Sequence, residues 1–301
     1  MRQVLSLIAG KAKALGTTEI DRVQRALDEA QTEGGAPDWL SPGEACDIAL
    51  EGRAEAALTR AREAFKEMPV DVNVVPATAR RKKLLLADMD STLIEQECID
   101  ELAAAIGLRE RVAAITERAM RGEIDFEPAL RERVGLFKGM PVGTIADVLA
   151  TRITLSPGAA TLVATMRAHG AHTMLVSGGF TLFTDEIAGR LGFHENRANV
   201  LLCEGGSFTG LAAEPVLGRV AKEQAFDEAT KRLGIDPEET LAIGDGANDS
   251  GMIRRAGLGV AYRGKPALRS IADAVIDHGD LTAALFLQGY RRDEFAAANG
   301  A

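Results

Sequence analysis

Leu84-Leu85-Leu86-Ala87-Asp88-Met89-Asp90-Ser91-Thr92 is the stretch of sequence that decides the fold. Its first four residues are apolar and follow the basic segment 80–83, a pattern typical of a buried strand in a parallel sheet. The strand ends in two carboxylates, Asp88 and Asp90, at the edge where open α/β sheets bind ligands. Two carboxylates this close in sequence repel each other unless a cation or a shared proton offsets them. Although acids also occur in ordinary turns, this pair predicts a functional site at the end of the strand.

Apolar segments after residue 83 alternate with helical segments, which indicates a doubly wound parallel α/β sheet. The predicted strands are residues 84–87, 173–176, 240–243, 258–262 and 274–276. Residues 88–172 carry four helical patterns, far more chain than a crossover between parallel strands needs. We therefore predict a helical cap at about residues 95–155, inserted after the first strand and placed to act as a lid. Paired glycines between short apolar stretches predict a β-hairpin insertion at about residues 198–217.

Residues 1–78 are predicted to form a separate small domain. Strand patterns at 4–8, 45–50 and 70–75 and helical patterns at 19–31 and 53–68 favour a β-α-β-β-α-β order, with one strand near Trp39 left open. Thr18 is the predicted cap of the first helix, and Gly34, Gly35 and Pro37 are predicted to break the chain. This order predicts a ferredoxin-like α+β domain at 1–78, followed by the α/β domain at 79–301.

Composition narrows the classes of partner and compartment. The 301 residues have a formal net charge of −9, which argues against nucleic acid or an anionic membrane as the main partner. Cys46, Cys98 and Cys203 are widely spaced, which is typical of reduced thiols rather than disulfides or a zinc site. No apolar run is long enough to span a membrane, and the first residues do not form a secretory signal. We expect a soluble cytoplasmic protein.

Polar residues follow two more of the predicted strands. Ser177 and two glycines follow residues 173–176, and such a group allows backbone N–H groups to approach an oxyanion closely, although an ordinary glycine turn is the alternative. Asp245, Asn248 and Asp249 follow residues 240–243 and offer the oxygen ligands that Mg²⁺ prefers. A calcium loop is a weaker alternative because the spacing of an EF-hand is missing.

Lys222 lies in a helical pattern between these two strands. Most such lysines are solvated, but a fixed ammonium here would balance the acids and hold a phosphoryl group. Three strand ends that carry acids, a Ser-Gly-Gly segment and further acids together predict phosphoryl transfer through an aspartyl phosphate.

The motifs, in this order, resemble those of the haloacid dehalogenase superfamily over about residues 83–290. The matching segments are Asp88 to Thr92, Ser177, Lys222 and Gly244-Asp245-Gly246-Ala247-Asn248-Asp249. Within that superfamily the context is similar to the phosphoserine phosphatases, through Glu97, Met120, Phe126, Arg133 and Val176-Ser177-Gly178-Gly179-Phe180.

The resemblance implies a role for each of these residues. Asp88 would be the nucleophile and Asp90 the general acid and base. Mg²⁺ would be bound by Asp88, by the backbone carbonyl of Asp90 and by Asp245. Ser177, the Gly178 N–H and Lys222 would hold the phosphoryl group. Asn248 would orient the acid cluster, and Asp249, which would not bind the metal directly, would order Lys222 or metal-bound water. Glu97 would bind the substrate ammonium, Arg133 its carboxylate, and Met120 and Phe126 would pack in the lid.

The function implied is that of a Mg²⁺-dependent phosphoric monoester hydrolase that converts O-phospho-L-serine to L-serine and phosphate, the last step of serine biosynthesis. One alternative is an enzyme of the same superfamily acting on another small phosphorylated metabolite, because a glutamate such as Glu97 is also favoured at the acid-rich start of a helix, and either Arg131 or Arg133 could be a surface residue. A more distant alternative is an inert amino-acid sensor, since the N-terminal domain resembles ACT-like regulatory domains. A homodimer through that domain is left open. The histidines are assigned no role: His169, His172, His194 and His278.

Overall fold

The structure is a computed structural model that describes residues 3–10, 14–121 and 123–297, and only the backbone at Met120. The first part of the chain forms a four-stranded antiparallel sheet with the strand order β2-β3-β1-β4 and two helices on one face. The elements are β1 (Gln3–Ala9), α1 (Thr17–Glu29), β2 (Glu33–Ser41), β3 (Ala45–Glu51), α2 (Ala54–Phe65) and β4 (Val70–Pro76). The predicted β-α-β-β-α-β order and α+β class are confirmed.

Two local predictions in this part of the chain are wrong. Gly34, Gly35 and Pro37 do not break the chain but lie within β2, the edge strand of the sheet, where the register shifts between Gly34 and Pro37. An edge strand tolerates proline because its missing N–H can face away from the neighbouring strand. Helix α1 is capped by Gly16 rather than by Thr18, and the Gly16 N–H donates to Glu19 Oε2 at 2.8 Å. The Glu19 side chain therefore satisfies a backbone donor at the start of the helix.

The second part of the chain is built on a six-stranded parallel sheet with the order β12-β11-β10-β5-β6-β7. Its strands are β5 (Leu84–Ala87), β6 (His172–Phe180), β7 (Glu195–Asn199), β10 (Thr240–Gly244), β11 (Leu258–Tyr262) and β12 (Ala274–Ile276). β5 pairs with β6 on one side and with β10 on the other. The strand order reverses beside β5, so its carboxyl end lies at the switch point where such sheets bind ligands. The doubly wound α/β class is confirmed.

β7 is the one core strand that the apolar pattern did not predict. Its sequence, Glu-Asn-Arg-Ala-Asn, is polar because β7 lies at the edge of the sheet, where three of its five residues are only half-buried. Helices pack on both faces of the sheet or lie between its strands: α7 (Ala159–Ala168), α8 (Thr181–Leu191), α9 (Arg219–Leu233), α10 (Ser250–Arg255), α11 (Pro266–Arg269) and α12 (Ala283–Leu287).

Four helices form the predicted cap between β5 and β6: α3 (Cys98–Ala105), α4 (Arg109–Met120), α5 (Phe126–Gly135) and α6 (Thr144–Thr151). A hairpin of β8 (Leu201–Glu204) and β9 (Ser207–Ala212) lies between β7 and α9. The hairpin is hydrogen-bonded to the cap through the pairs Gly139 N–H to Phe208 C=O at 2.8 Å, and Phe208 N–H to Met140 C=O at 2.9 Å. The cap and the hairpin are therefore joined by backbone hydrogen bonds.

Two side chains of β4 join the N-terminal sheet to the edge strand β12. The Asn73 amide exchanges two hydrogen bonds with the backbone of Val275, both at 2.9 Å. Buried Asp71 accepts backbone N–H groups of residues 277–279 at 2.8 to 3.3 Å. The N-terminal sheet also shares a hydrophobic core with α12 through Ile8 and Phe286. Across the residues described here, no helix is long and apolar enough to cross a membrane.

Candidate active site

Asp88 lies at the carboxyl end of β5, at the centre of the sheet edge. β5 is buried along its length, and the Asp88 N–H donates to the Ile243 C=O at 3.0 Å. The Asp88 carboxylate is also buried, and its Oδ1 accepts the N–H of Met89 at 2.7 Å. In the wide turn that follows, Ser91 has a φ of +53°, a conformation that non-glycine residues seldom adopt. Backbone strain of this kind is concentrated at functional sites.

Asp90 and Glu97 lie next to the start of the cap, and both line a cavity between the cap and this edge of the sheet. Asp90 Oδ1 accepts the N–H of Cys98 at 3.3 Å, and Glu97 Oε1 accepts the Ser91 hydroxyl at 2.6 Å. Burial, and then the carboxylates of Glu97 and Asp88, raise the pKa of Asp90 well above its usual value. Burial also raises the pKa of Glu97, and the hydrogen bond from Ser91 opposes this shift. A carboxyl with a raised pKa keeps its proton to higher pH, which is the property required of a general acid.

Lys222 projects from the first turn of α9 into the acid cluster. Its Nζ lies 2.7 Å from Asp88 Oδ1 and 2.6 Å from Asp249 Oδ1. Burial lowers the pKa of this ammonium, but the carboxylates of Asp249 and Asp88 have the larger combined effect and raise it above its usual value. With a side chain that is 3% exposed, Lys222 is a buried counter-charge and not a solvated surface lysine.

Asp249 and Asn248 follow the buried strand β10 in a tight loop. A Cβ at Gly244 would collide with the Asp249 carboxylate, so this close approach requires glycine. Asp249 Oδ2 accepts the Gly246 N–H at 3.1 Å, and Asn248 Nδ2 donates to Asp88 Oδ2 at 3.3 Å. Burial, and then the charge of Asp88, raise the pKa of Asp249 to about 7 against the opposing effect of Lys222. Because Oδ1 contacts the Lys222 ammonium and Oδ2 accepts the Gly246 N–H, both oxygens of Asp249 are already bonded within the protein.

The acid cluster has the composition of a divalent cation site. One carboxylate oxygen from each of Asp88, Asp245 and Asp249 lies within 4.8 Å of the other two, and all three residues are buried. The Lys222 ammonium balances one of these charges, and the more exposed Lys265 ammonium lies 3.2 Å from Asp245 Oδ2. Buried carboxylates in excess of their cations are costly unless a metal or a proton compensates them. The oxygen-only donor set fits a hard divalent cation.

Ser177 and the two glycines lie at the end of β6. They do not form the turn that was the alternative interpretation, because β6 continues to Phe180 with an irregular register against β7. The Gly179 N–H donates to Ser177 Oγ at 2.8 Å. The ring of Phe126 lies above this segment, since a Cβ at Gly178 would be 3.6 Å from its Cζ. The segment thus presents small groups to the space below the cap.

A cavity of about 200 Å³ lies between the sheet edge and the cap. Most of the predicted site residues line it, namely Asp88, Asp90, Glu97, Phe126, Arg133, Ser177, Gly178, Asp245 and Asn248. Lys222 and Asp249 lie behind Asp88 and do not line the cavity. The predicted contact of Met120 lies outside the described residues, because α4 ends at that residue and only its backbone is described. None of the four histidines lines the cavity.

The helical phase of α5 separates Arg133 from Arg131. Phe126, Leu130 and Arg133 occupy positions i, i+4 and i+7 and all line the cavity. The Arg133 guanidinium donates to the Ala129 C=O at 3.2 Å, and burial lowers its pKa against the opposing charges of Asp100 and Glu97. Arg131 is exposed on another side of the helix and pairs with Glu127 and Glu214. Arg133 is therefore the arginine that faces the cavity.

Lys265 is a residue of the site that the sequence patterns missed. It lines the cavity, its N–H donates to the Asp245 C=O at 2.8 Å, and its ammonium pairs with the Asp245 carboxylate. Burial lowers the pKa of this ammonium, but the Asp245 charge raises it above its usual value. The available signal was its place just after the predicted strand 258–262, at the same sheet edge as the acids. Ile99 and Leu130 are lining residues that the sequence patterns did not indicate, whereas Gly179 and Phe180 belong to the segment already singled out with Ser177.

Comparisons with known proteins agree with this geometry. The model of the haloacid dehalogenase-like hydrolase family matches residues 85–254. A phosphoserine phosphatase of Albidiferax ferrireducens is 47% identical over 204 residues, which cover 66% of this chain and 86% of the relative. A probable phosphoserine phosphatase of Schizosaccharomyces pombe is 40% identical over 275 residues, 90% of each chain.

A solved structure extends the similarity over both parts of the fold. The crystal structure of a probable phosphoserine phosphatase from Vibrio cholerae superposes with a TM-score of 0.80 at 28% identity, covering 97% of this chain and 88% of that one. The fold, the position of the acids and these similarities lead to one assignment. This chain belongs to the haloacid dehalogenase-like hydrolases and, within them, to the phosphoserine phosphatase family.

Proposed function

We propose that this chain hydrolyses O-phospho-L-serine to L-serine and inorganic phosphate, the last step of serine biosynthesis. The observation that carries the proposal is the buried contact of 2.7 Å between Lys222 Nζ and Asp88 Oδ1, next to a cavity that also presents Glu97 and Arg133. One part of this cavity can hold a phosphoryl group beside a nucleophile. The other part offers one anion and one cation, which suit the ammonium and carboxylate of an amino acid.

In the first step, an Asp88 carboxylate oxygen attacks phosphorus while the bond between phosphorus and the serine oxygen breaks. Asp90 donates its proton to the leaving serine oxygen, so that serine departs as a neutral hydroxyl. The raised pKa of Asp90 supports this role. Ser177, the Gly178 N–H and the Lys222 ammonium would stabilise the phosphoryl oxygens as charge is redistributed.

In the second step, Asp90 accepts a proton from water as the water oxygen bonds to phosphorus. The bond between phosphorus and Asp88 then breaks, which releases phosphate and restores the carboxylate. Asn248 Nδ2, at 3.3 Å from Asp88 Oδ2, keeps this carboxylate oriented through both steps. Asp249 holds Lys222 in place, since its Oδ1 accepts from the Lys222 ammonium while its Oδ2 accepts the N–H of Gly246 in the loop.

The cation of the site is proposed to be Mg²⁺, held by the Asp88 and Asp245 carboxylates and by the Asp90 backbone carbonyl. When bound, it would offset the repulsion between the acids and the substrate phosphate. The Lys265 ammonium, paired with Asp245, keeps that carboxylate oriented towards the cluster. Arg133 binds the substrate carboxylate through two donors, Glu97 accepts the ammonium, and Phe126 covers the phosphoryl end.

The proposal is tested by phosphate release from a panel of monoesters in the presence of Mg²⁺. L-phosphoserine should have a kcat/KM at least about tenfold above that of phosphoglycolate, which lacks the ammonium that Glu97 accepts, and above that of phosphothreonine, whose additional methyl group the cavity of about 200 Å³ must also accommodate. Chelation should abolish release and Mg²⁺ should restore it. A consistent preference for another ester would replace the substrate assignment and leave the phosphatase chemistry in place.

We also propose that residues 1–78 form an ACT-like domain, that residues 79–301 form the phosphatase domain, and that two chains pair through the former in the cytoplasm. The free thiols of Cys46, Cys98 and Cys203 support a reducing compartment such as the cytoplasm. The exposed edge strand β2 supports the pairing of two chains. Light scattering of the full chain tests the dimer. A monomer at micromolar concentration would contradict it.

A further inference from the structure

Asn199 is a buried polar residue that the mechanism above does not use. It is the last residue of β7, pairs in register with Phe180 of β6, and is 2% exposed. Its side-chain amide makes hydrogen bonds to two segments that are distant in sequence. Nδ2 donates to the Gly178 C=O at 2.8 Å and to the Leu217 C=O at 3.2 Å, and Oδ1 accepts the Leu217 N–H at 2.7 Å.

The partners fix the orientation of this amide. An asparagine amide has two N–H donors on one side and an acceptor oxygen on the other. The two carbonyls, of Gly178 and Leu217, require the NH₂ group, and the Leu217 N–H requires the oxygen. Both donors of the side chain are therefore used, and a buried group bonded in this way has one preferred position.

The two segments that Asn199 joins both lead to the phosphoryl end of the cavity. Gly178 lines the cavity directly, between Ser177 and Gly179. Leu217 precedes Gly218, the capping residue of α9, and the Lys222 N–H lies 3.4 Å from the Gly218 C=O in the first turn of that helix. A shift of Leu217 would therefore move the start of the helix that carries Lys222 to Asp88.

The same junction contacts the cap. The ring of Phe126 lies against both glycines, since a Cβ at Gly218 would be 3.2 Å from its Cδ1 and a Cβ at Gly178 would be 3.6 Å from its Cζ. Leu217 lies between β9, the second strand of the hairpin, and α9, and the hairpin is hydrogen-bonded to the cap at Gly139 and Met140. Asn199 thus lies where the phosphate-binding segment, the base of the hairpin and the cap meet.

We propose that Asn199 is a positioning residue that sets the phosphate-binding geometry by tying the Gly178 peptide to the start of α9. It touches neither substrate nor reacting atoms and acts through Gly178 and Lys222. This inference rests on the proposed function, because it assumes that a phosphoryl group occupies this end of the cavity. It separates two affinities: the phosphoryl end depends on Asn199, whereas the Glu97 and Arg133 end does not.

The test compares the binding of inorganic phosphate and of L-serine by calorimetry, with the full chain and Mg²⁺. Asn199→Asp keeps the shape and the acceptor but turns an oxygen towards two carbonyls. We expect its phosphate affinity to fall about tenfold or more, the scale of lost buried hydrogen bonds, while its serine affinity stays within about twofold. Asn196→Ala is the control, because Asn196 lies on the same strand and its side chain bonds only to Thr184 and Asp185.

Each outcome has a defined meaning. The inference would be overturned if Asn199→Asp bound phosphate as tightly as the wild type does, or if the variant lost affinity for phosphate and for serine to the same extent. A wild-type chain that binds serine but not phosphate would contradict the proposed function itself. If the variants do not fold, hydrogen exchange of the unmodified chain decides. Added phosphate should slow exchange of the Leu217 N–H, and an unchanged rate would refute the coupling.

Discussion

The ammonium of Lys222 lies 2.7 Å from Asp88 Oδ1, so the proposed nucleophile and its counter-charge are in direct contact although α9 and β5 are far apart in sequence. Lys222 also contacts Asp249 at 2.6 Å. One buried cation is thus shared between two carboxylates. Removing it would leave two buried negative charges without a partner, which is far more costly than removing an exposed ion pair.

Lys222→Met should therefore lower both activity and stability. We expect turnover to fall about a thousandfold or more, because the cation stabilises the phosphoryl charge, and the free energy of unfolding to fall by about 3 kcal/mol. Lys231→Met, on the exposed side of the same helix, is the control and should change neither quantity. Adding Asp249→Asn to Lys222→Met should recover part of the stability but not the activity. Recovery of full activity would show that the cation only supports the fold.

Asp90→Asn should separate the two chemical steps. With p-nitrophenyl phosphate the leaving group needs no proton, so the variant should still form the aspartyl phosphate. Hydrolysis of the aspartyl phosphate needs Asp90 as a general base and should slow about a hundredfold in the variant, the usual contribution of a general base. Stopped-flow absorbance should show a burst of nitrophenolate close to one equivalent per site. Steady release without a burst, at the wild-type rate, would remove Asp90 from the mechanism.

Arg133 and Arg131 form a matched pair on one helix. Arg133→Ala should raise the KM for phosphoserine roughly tenfold to a hundredfold, because a hydrogen-bonded charge pair is lost. It should leave the KM for p-nitrophenyl phosphate nearly unchanged, since that ester has no carboxylate in this position. Arg131→Ala breaks only exposed pairs with Glu127 and Glu214 and should be close to wild type for both substrates. Equal effects of the two variants would contradict the assignment.

Glu97 should influence the pH dependence of kcat through Asp90. Burial, the Glu97 charge and the Asp88 charge raise the pKa of Asp90, so removing the Glu97 charge should lower it. Asp90 must be protonated to act as an acid, and kcat falls as pH rises through its pKa. The alkaline limb of the profile should therefore move to lower pH in Glu97→Gln at saturating phosphoserine. An unmoved limb, or a shift to higher pH, would show that another group controls it.

Much of the fold was predictable because its central elements carry strong local patterns. β5, β10 and β11 are buried throughout and mostly apolar, and polar groups of the site follow each of them within a few residues. β7 was not predictable in this way, because an edge strand needs few apolar residues. Gly34 and Pro37 suggest a chain break by composition, but the hydrogen bonds of β3 keep them within an edge strand.

The site was predictable where chemistry depends on residue type, and less so where it depends on packing. Asp88 and Asp245 follow recognisable strands, whereas Lys265 resembles an ordinary surface lysine until the fold brings it to Asp245. The choice between Arg131 and Arg133 required the phase of α5, which is fixed by the burial of Leu130 against the rest of the cap. Asn199 was invisible in sequence because its role depends on two segments that meet only in the folded chain.

The most direct test of the account is to trap the covalent intermediate. The wild-type chain turning over phosphoserine with Mg²⁺ should be quenched in acid, digested and analysed by mass spectrometry. The account predicts a phosphoryl group on the peptide that contains Asp88, located at that residue by fragmentation and absent from Asp88→Asn, which should release no phosphate. A phosphoryl group on another residue, or sustained phosphate release by Asp88→Asn, would contradict Asp88 as the nucleophile.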